Sequence, residues 1–255
     1  MRHLTCADIH HHQTQVTEES RIFFGPMYDK FNAAIDSLLI IQYAFIVPDQ
    51  PAPTPLQRVQ MLAQKWLYLS IFSFHASLSL AEQGFYSQSV ILNRNLMEYL
   101  VTVRYLADMP DQIDRLQMVS KKVPNAVTFR QRFDYVIPGY YEPHYKLSSE
   151  FSHPSHGSHV FKIRPDGTGG YTVDMGISFD PDLMSFCLNE LTMLLAGFLK
   201  AYSTKFRSAL QYRSASDIEQ VRASIAALLD LLNAHIALKG GENTWHSTTR
   251  PLWDW

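Results

Sequence analysis

Between Pro55 and Pro110 the chain has no other proline and a single glycine, Gly84. Two long helices are the economical way to fold such a stretch. Thr54 is a good N-cap with Pro55 at the first helical position, and Gly84 closes that helix. The next helix runs over residues 86–108 and stops before Pro110. The same punctuation divides the rest of the chain. Gly25-Pro26 opens a segment to about Val47, followed by the rigid linker P-D-Q-P-A-P-T-P. Shorter, more polar helices are expected over residues 111–122 and 125–135, and Pro143 opens another. Residues 160–174, V-F-K-I-R-P-D-G-T-G-G-Y-T-V-D, are two short alternating runs around a glycine-rich turn, which predicts a small hairpin or lid. Asp180-Pro181 restarts helix through about Ala209. Ser216 and Glu219 form a capping-box pattern for a last helix ended by Gly240-Gly241.

The expected fold is therefore all-α, a multi-helix bundle with one β-hairpin insertion near 160–174. No internal period suggests a solenoid. Residues 1–24, including His10-His11-His12, read as a flexible N-terminal segment, 25–239 as one helical domain, and 240–255 as a tail with three tryptophans. Those tryptophans either staple the terminus to the body or form a partner-binding arm.

Composition narrows the function. With 255 residues, 46% hydrophobic and 18% charged, the chain can bury a substantial core and is not disordered. A net charge of -2 gives no global attraction to phosphate backbones, so any nucleic-acid contact must be local. Cys6 and Cys187 are too few for a disulfide framework, which points to a reducing cytoplasm. The first twelve residues lack the apolar core of a signal peptide. The uncharged run 66–81 carries Ser70, Ser73, His75, Ser77 and Ser79, so it reads as a buried helix and no membrane contact is expected.

The helix over 86–108 is unusual. At a hundred degrees per residue, Ser87, Arg94, Glu98, Val101 and Tyr105 share one face, and Leu92, Leu96, Tyr99, Val103 and Leu106 the opposite one. With both faces largely apolar, it should cross the core. Arg94 and Glu98 are four apart and can pair. As structure, the pair fixes helix register. As function, Arg94 offers a guanidinium to phosphate or carboxylate in a polar cleft that His75 could also reach.

The second concentration of chemistry is Y-K-L-S-S-E-F-S-H-P-S-H-G-S-H, residues 145–159. If helical, it places Tyr145, Ser149 and Ser152 on one face with His153 beside them, and Pro154 ends the helix. A histidine at a helix C-terminus suits a general acid, a phosphate ligand or a plain cap. Glu150, His153, His156 and His159 are the metal candidates. A second Glu-x-x-His of the di-iron type is absent, which leaves a loop-held zinc as the metal alternative to no cofactor. Phosphate loops, nucleophile elbows and zinc-type cysteine pairs are missing.

G-F-Y-S-Q-S-V-I-L-N-R-N-L-M-E-Y-L-V-T-V-R-Y-L followed by Y-K-L-S-S-E-F-S-H-P-S resembles an uncharacterised bacterial helical family. Its members carry an Arg-x-x-x-Glu helix and a downstream Tyr-x-x-Leu-Ser-x-x-x-His-Pro segment. The matched positions are Arg94, Glu98, Tyr145, Leu147, Ser148 and His153, within roughly residues 74–158. The family is similar in outline to HEPN (higher eukaryotes and prokaryotes nucleotide-binding) domains, which are commonly dimeric and often metal-independent ribonucleases. The resemblance implies a homo-oligomer with nucleotide or RNA as ligand. Active HEPN nucleases place a histidine four to six residues after an arginine; His153 has no arginine within twenty residues upstream.

Three readings follow. In the first, Arg94 binds an anionic group, Glu98 orients it, His153 acts as acid, base or ligand, and Tyr145, Ser148, Ser149 and His75 supply ligand contacts. The second is a metal-dependent hydrolase or oxygenase using Glu150, His153, His156 and His159. The third is a non-catalytic interaction protein whose polar cluster specifies packing.

Overall fold

A computed structural model describes residues 6–47, 49, 51–116, 125–139, 141–146, 163–165, 171–173 and 179–238. Its helices are α1 (Cys6–Ala44), α2 (Pro55–Glu82), α3 (Tyr86–Asp108), α4 (Phe129–Val136), α5 (Pro181–Lys205) and α6 (Ala215–Leu238). The fold is an all-α bundle. A two-stranded antiparallel ribbon, β1 (Ile163–Pro165) with β2 (Tyr171–Val173), lies in the expected hairpin region, with Arg164 opposite Thr172.

Local signals fix α2 and α3 as expected. The Thr54 hydroxyl accepts from Gln57 N–H, the Gln57 side chain accepts from Thr54 N–H, and Pro55 occupies the first position. Gly84 takes φ 84°, a left-handed turn that glycine adopts without strain, and α3 starts two residues later. The two helices pack together, with Trp66 stacked on Tyr99 at 5.7 Å.

The N-terminal boundary is corrected. Gly25-Pro26 does not open a helix, and residues 6–24 are not a free segment; α1 runs straight through Pro26. Proline forfeits one backbone hydrogen bond and crowds the preceding turn, but tertiary contacts on the early turns outweigh that local cost. Val16 and Ser20 are buried, Ser20 Oγ donates to the Glu82 carbonyl at 3.2 Å, and Arg21 pairs with Glu82 at 2.5 Å.

Other boundaries shift for equally specific reasons. In place of the helix expected from 111, the chain makes a 3-10 turn, Pro110–Arg115, and Leu116 then pairs with Val127, while 117–122 lie outside the described residues. Asn125 adopts φ 53°, so helix cannot start there. α4 begins four residues later, under a second capping box made by Thr128 and Gln131. Pro143 does not open an α-helix but lies inside a π-helical turn, Tyr141–Lys146, among positions whose N–H groups have no intrahelical partner. α5 ends at Lys205, and a 3-10 turn covers Arg207–Ala209. The last helix is capped two residues before Ser216: Ser214 Oγ accepts from Asp217 N–H, and the Asp217 carboxylate accepts from Ser214 N–H.

α5 is the centre of the bundle. It contacts α1, α2, α3 and α6, and from Glu190 to Leu199 every residue is buried. By length and mean hydropathy (1.3) it is the one helix among the described residues that could cross a membrane, yet most of that stretch is covered by neighbouring helices. Gly197 permits the approach of α3: a Cβ built there would lie 2.8 Å from Leu100 Cδ2. Phe198 meets Phe74 of α2 edge-on at 5.2 Å, and the buried Tyr202 hydroxyl donates to the Ala63 carbonyl at 2.7 Å.

A Cβ at Gly25 would meet nothing within 4 Å, and the residue sits inside a continuous helix. Gly25→Ala should therefore raise the unfolding free energy in urea by about 0.5–1 kcal/mol. No gain would indicate that the helix is interrupted at this point.

Candidate functional site

Arg94 and Glu98 lie one turn apart on α3, with Arg94 Nε 3.5 Å from Glu98 Oε1. Tyr145, on the π-helical turn, joins them: its hydroxyl donates to Glu98 Oε1 and accepts from Arg94 Nη2 at 2.8 Å. The guanidinium also lies over the Tyr145 ring, 4.8 Å from its centroid. The structure thus brings together three of the residues singled out in the sequence.

The position of Tyr145 follows from aromatic packing. α4 presents Phe129 and Phe133, and the wide turn lays Tyr141 and Tyr145 against them, Tyr145 being 4.5 Å from Phe129 and 5.2 Å from Tyr141. π-helical turns are rare and recur at functional sites. Arginines fringe this cluster. Arg130 lies over Tyr141 at 5.2 Å and pairs with Asp134 and Glu142, whereas Arg132 lies over Phe129 at 5.6 Å.

On the α5 side, Asn93, Arg94, Met97 and Tyr145 face Glu190 and Met193 around a cavity of about 20 Å³, room for roughly one water. It is not sealed, since the Arg94 side chain is 21% exposed and that of Glu98 38%. Beneath it runs a buried polar chain. Asn93 Nδ2 donates to Glu190 Oε2 at 3.3 Å, Ser77 Oγ donates to Asn93 Oδ1 at 2.7 Å, and the Ser77 and Ser89 hydroxyls are 2.8 Å apart. Cys187, fully buried next to this chain, has its thiol pushed well up by burial and then by Glu190, so it is no nucleophile.

Burial, and then the hydrogen bond to Glu98, push the Tyr145 phenol up to about 12 against the opposing pull of Arg94. At neutral pH it is a proton donor to Glu98 and not a base. Burial lowers the Arg132 pKa, with Glu98, Tyr105 and Tyr145 pulling the other way.

His75 is placed elsewhere. It is exposed on the outer side of α2, because Phe74, Ser77 and Leu78 define the inward face, and Ser77 is the residue that reaches the polar chain. Ser148, Ser149, Glu150, His153, His156 and His159 lie outside the described residues, as does the tail 240–255. Among the described residues no three His, Cys, Asp or Glu side chains are grouped to hold a metal. Sequence reasoning missed Asn93, Glu190, Phe129 and Arg132. Asn93 and Glu190 are polar positions on helices otherwise packed into the core, a signal the sequence did contain. Arg132 had none, because its helix had been given the wrong start.

Comparison with family models, with curated proteins and with solved structures finds no match for this chain. The functional reading therefore rests on the site itself.

Two outcomes test this geometry. Asn93→Leu removes an acceptor from Ser77 and a donor from the buried Glu190, and should cost about 2 kcal/mol or more in denaturant unfolding. The Tyr145 phenol holds its proton to about 12 when folded and loses it near 10 when unfolded. Its contribution is fully present below pH 10 and is lost as pH rises toward 12. Tyr145→Phe should flatten that part of the alkaline unfolding curve, and an unchanged profile would mean that the phenol is not held as described.

Proposed function

We propose that this chain is a HEPN-like helical protein that binds the phosphate of a nucleotide or RNA in the cleft at Arg94, Glu98 and Tyr145. The observation that carries the reading is the partly exposed Arg94 guanidinium, aimed and held at the mouth of that small cavity. Glu98 and Tyr145 fix the Arg94 fork, so little rotamer freedom is lost when an oxyanion arrives. His153 takes the acid–base role in this reading, on the resemblance alone. The reading also has the chain act as a cytoplasmic homo-oligomer. Self-association is supported by the outer face of α2, where Met61, Tyr68, Leu69 and Phe72 are all exposed along roughly 16 Å of helix.

One observation favours a second reading. Arg94, Glu98 and Tyr145 satisfy one another, as a structural cluster that fixes the turn against α3 would. Titrating the full-length chain with nucleotides and a short single-stranded RNA separates the two. In the first reading Arg94→Ala binds at least about tenfold more weakly, and His153→Ala retains binding but loses any cleavage. In the second, neither probe binds the wild-type protein, and Arg94→Ala only lowers the melting temperature.

A further inference from the structure

Arg132 enters the same region from α4 and takes no part in the Arg94–Glu98–Tyr145 group. Its Nε is buried and has no hydrogen-bond partner among the described residues. Its guanidinium lies over Phe129 and within the field of Glu98, Tyr105 and Tyr145. Arg130, two residues earlier, has both Asp134 and Glu142. A guanidinium nitrogen left buried without a partner is costly, and a methionine of similar length would relieve that cost. The carboxylate nearest to hand is already engaged, since Glu98 takes both Arg94 Nε and the Tyr145 hydroxyl. Glu190 lies across the cavity and accepts from Asn93. Glu98 therefore has two guanidiniums in its field, with its Oε1 already taken by Arg94 and Tyr145.

We propose that Arg132 is an anion-binding residue of this cleft and that its partner is a phosphate group. A guanidinium fork matches two phosphate oxygens with parallel hydrogen bonds. Phe129 beneath the guanidinium holds the fork in place. This rests on the phosphate reading above and adds to it the residue that makes the contact. The phosphate belongs either to a free phosphate or nucleotide or to an RNA backbone.

The test uses the full-length chain and three probes, inorganic phosphate, AMP and a short single-stranded RNA, against potassium chloride at matched ionic strength. Binding is followed by calorimetry and folding by thermal melts, for the wild type, Arg132→Met, Arg132→Lys and Arg94→Ala. Arg132→Met should weaken binding about tenfold or more, with part of it recovered in Arg132→Lys, while melting at or above the wild-type temperature. Loss confined to RNA assigns a backbone phosphate, and loss with phosphate or AMP as well assigns a free one. If Arg132→Met binds as wild type while Arg94→Ala does not, Arg132 has no such role and the earlier reading stands. If Arg132→Met melts well below wild type in the absence of probe, the arginine is a structural support and the proposal fails. If no probe outdoes chloride on the wild-type chain, both readings fall.

Discussion

The contact between α3 and α5 at Gly197 governs where the polar groups of this bundle can go. With no Cβ at 197, Leu100 of α3 reaches the surface of α5, and the two helices run close together on either side of that point. Over Glu190–Leu199 α5 is buried around its whole circumference, so a polar side chain directed toward it there must find a partner on another helix or be left unsatisfied. Asn93 and Glu190 are such a pair, and Ser77 and Ser89 extend it toward α2. Arg94, one residue after Asn93, is turned far enough around α3 to escape the core and reach the edge of the cavity.

The polar chain is better understood as a device for specificity than as a source of stability. Hydrogen bonds inside a core roughly offset the desolvation of the groups that make them, but a slipped arrangement would leave several of them unsatisfied. Bundles of apolar helices have many near-equivalent registers. One amide facing one carboxylate between α3 and α5 leaves very few, and the cavity inherits its shape from that constraint.

Much of the architecture could be read from residue order. Thr54-Pro55, Gly84 and Asp180-Pro181 acted locally as their chemistry predicts, and the Arg94–Glu98 spacing gave a real pair. Where the sequence misled, distant contacts had overridden local preference. Pro26 sits inside α1 because Val16 and Ser20 are buried on the turns before it. Tyr145 arrives at Arg94 on a π-helical turn shaped by Phe129 and Tyr141, a geometry with no residue code of its own. His75 lies only about a hundred degrees around α2 from Phe74, and its exposure is settled by packing and not by the helix repeat. Arg132 could not be singled out in the sequence, because the burial of its Nε without a hydrogen-bond partner shows only among assembled neighbours.

The first and last helices meet across almost the whole length of the chain. Ser37 and Ser224 share a buried hydrogen bond at 2.8 Å although 187 residues separate them, and Phe45 pairs with Leu210 where α1 ends and α6 begins. Among the described helices α1 is synthesised first, and its partner α6 last. Until then the side of α1 that α6 will cover, around Ala33 and Ser37, stays open to water, while α2 and α5 can already close on its other residues. The outer seam between the first and last helices is thus the part of the bundle that can close only when α6 has been made, and the side of α1 around Ser37 waits longest for its neighbour.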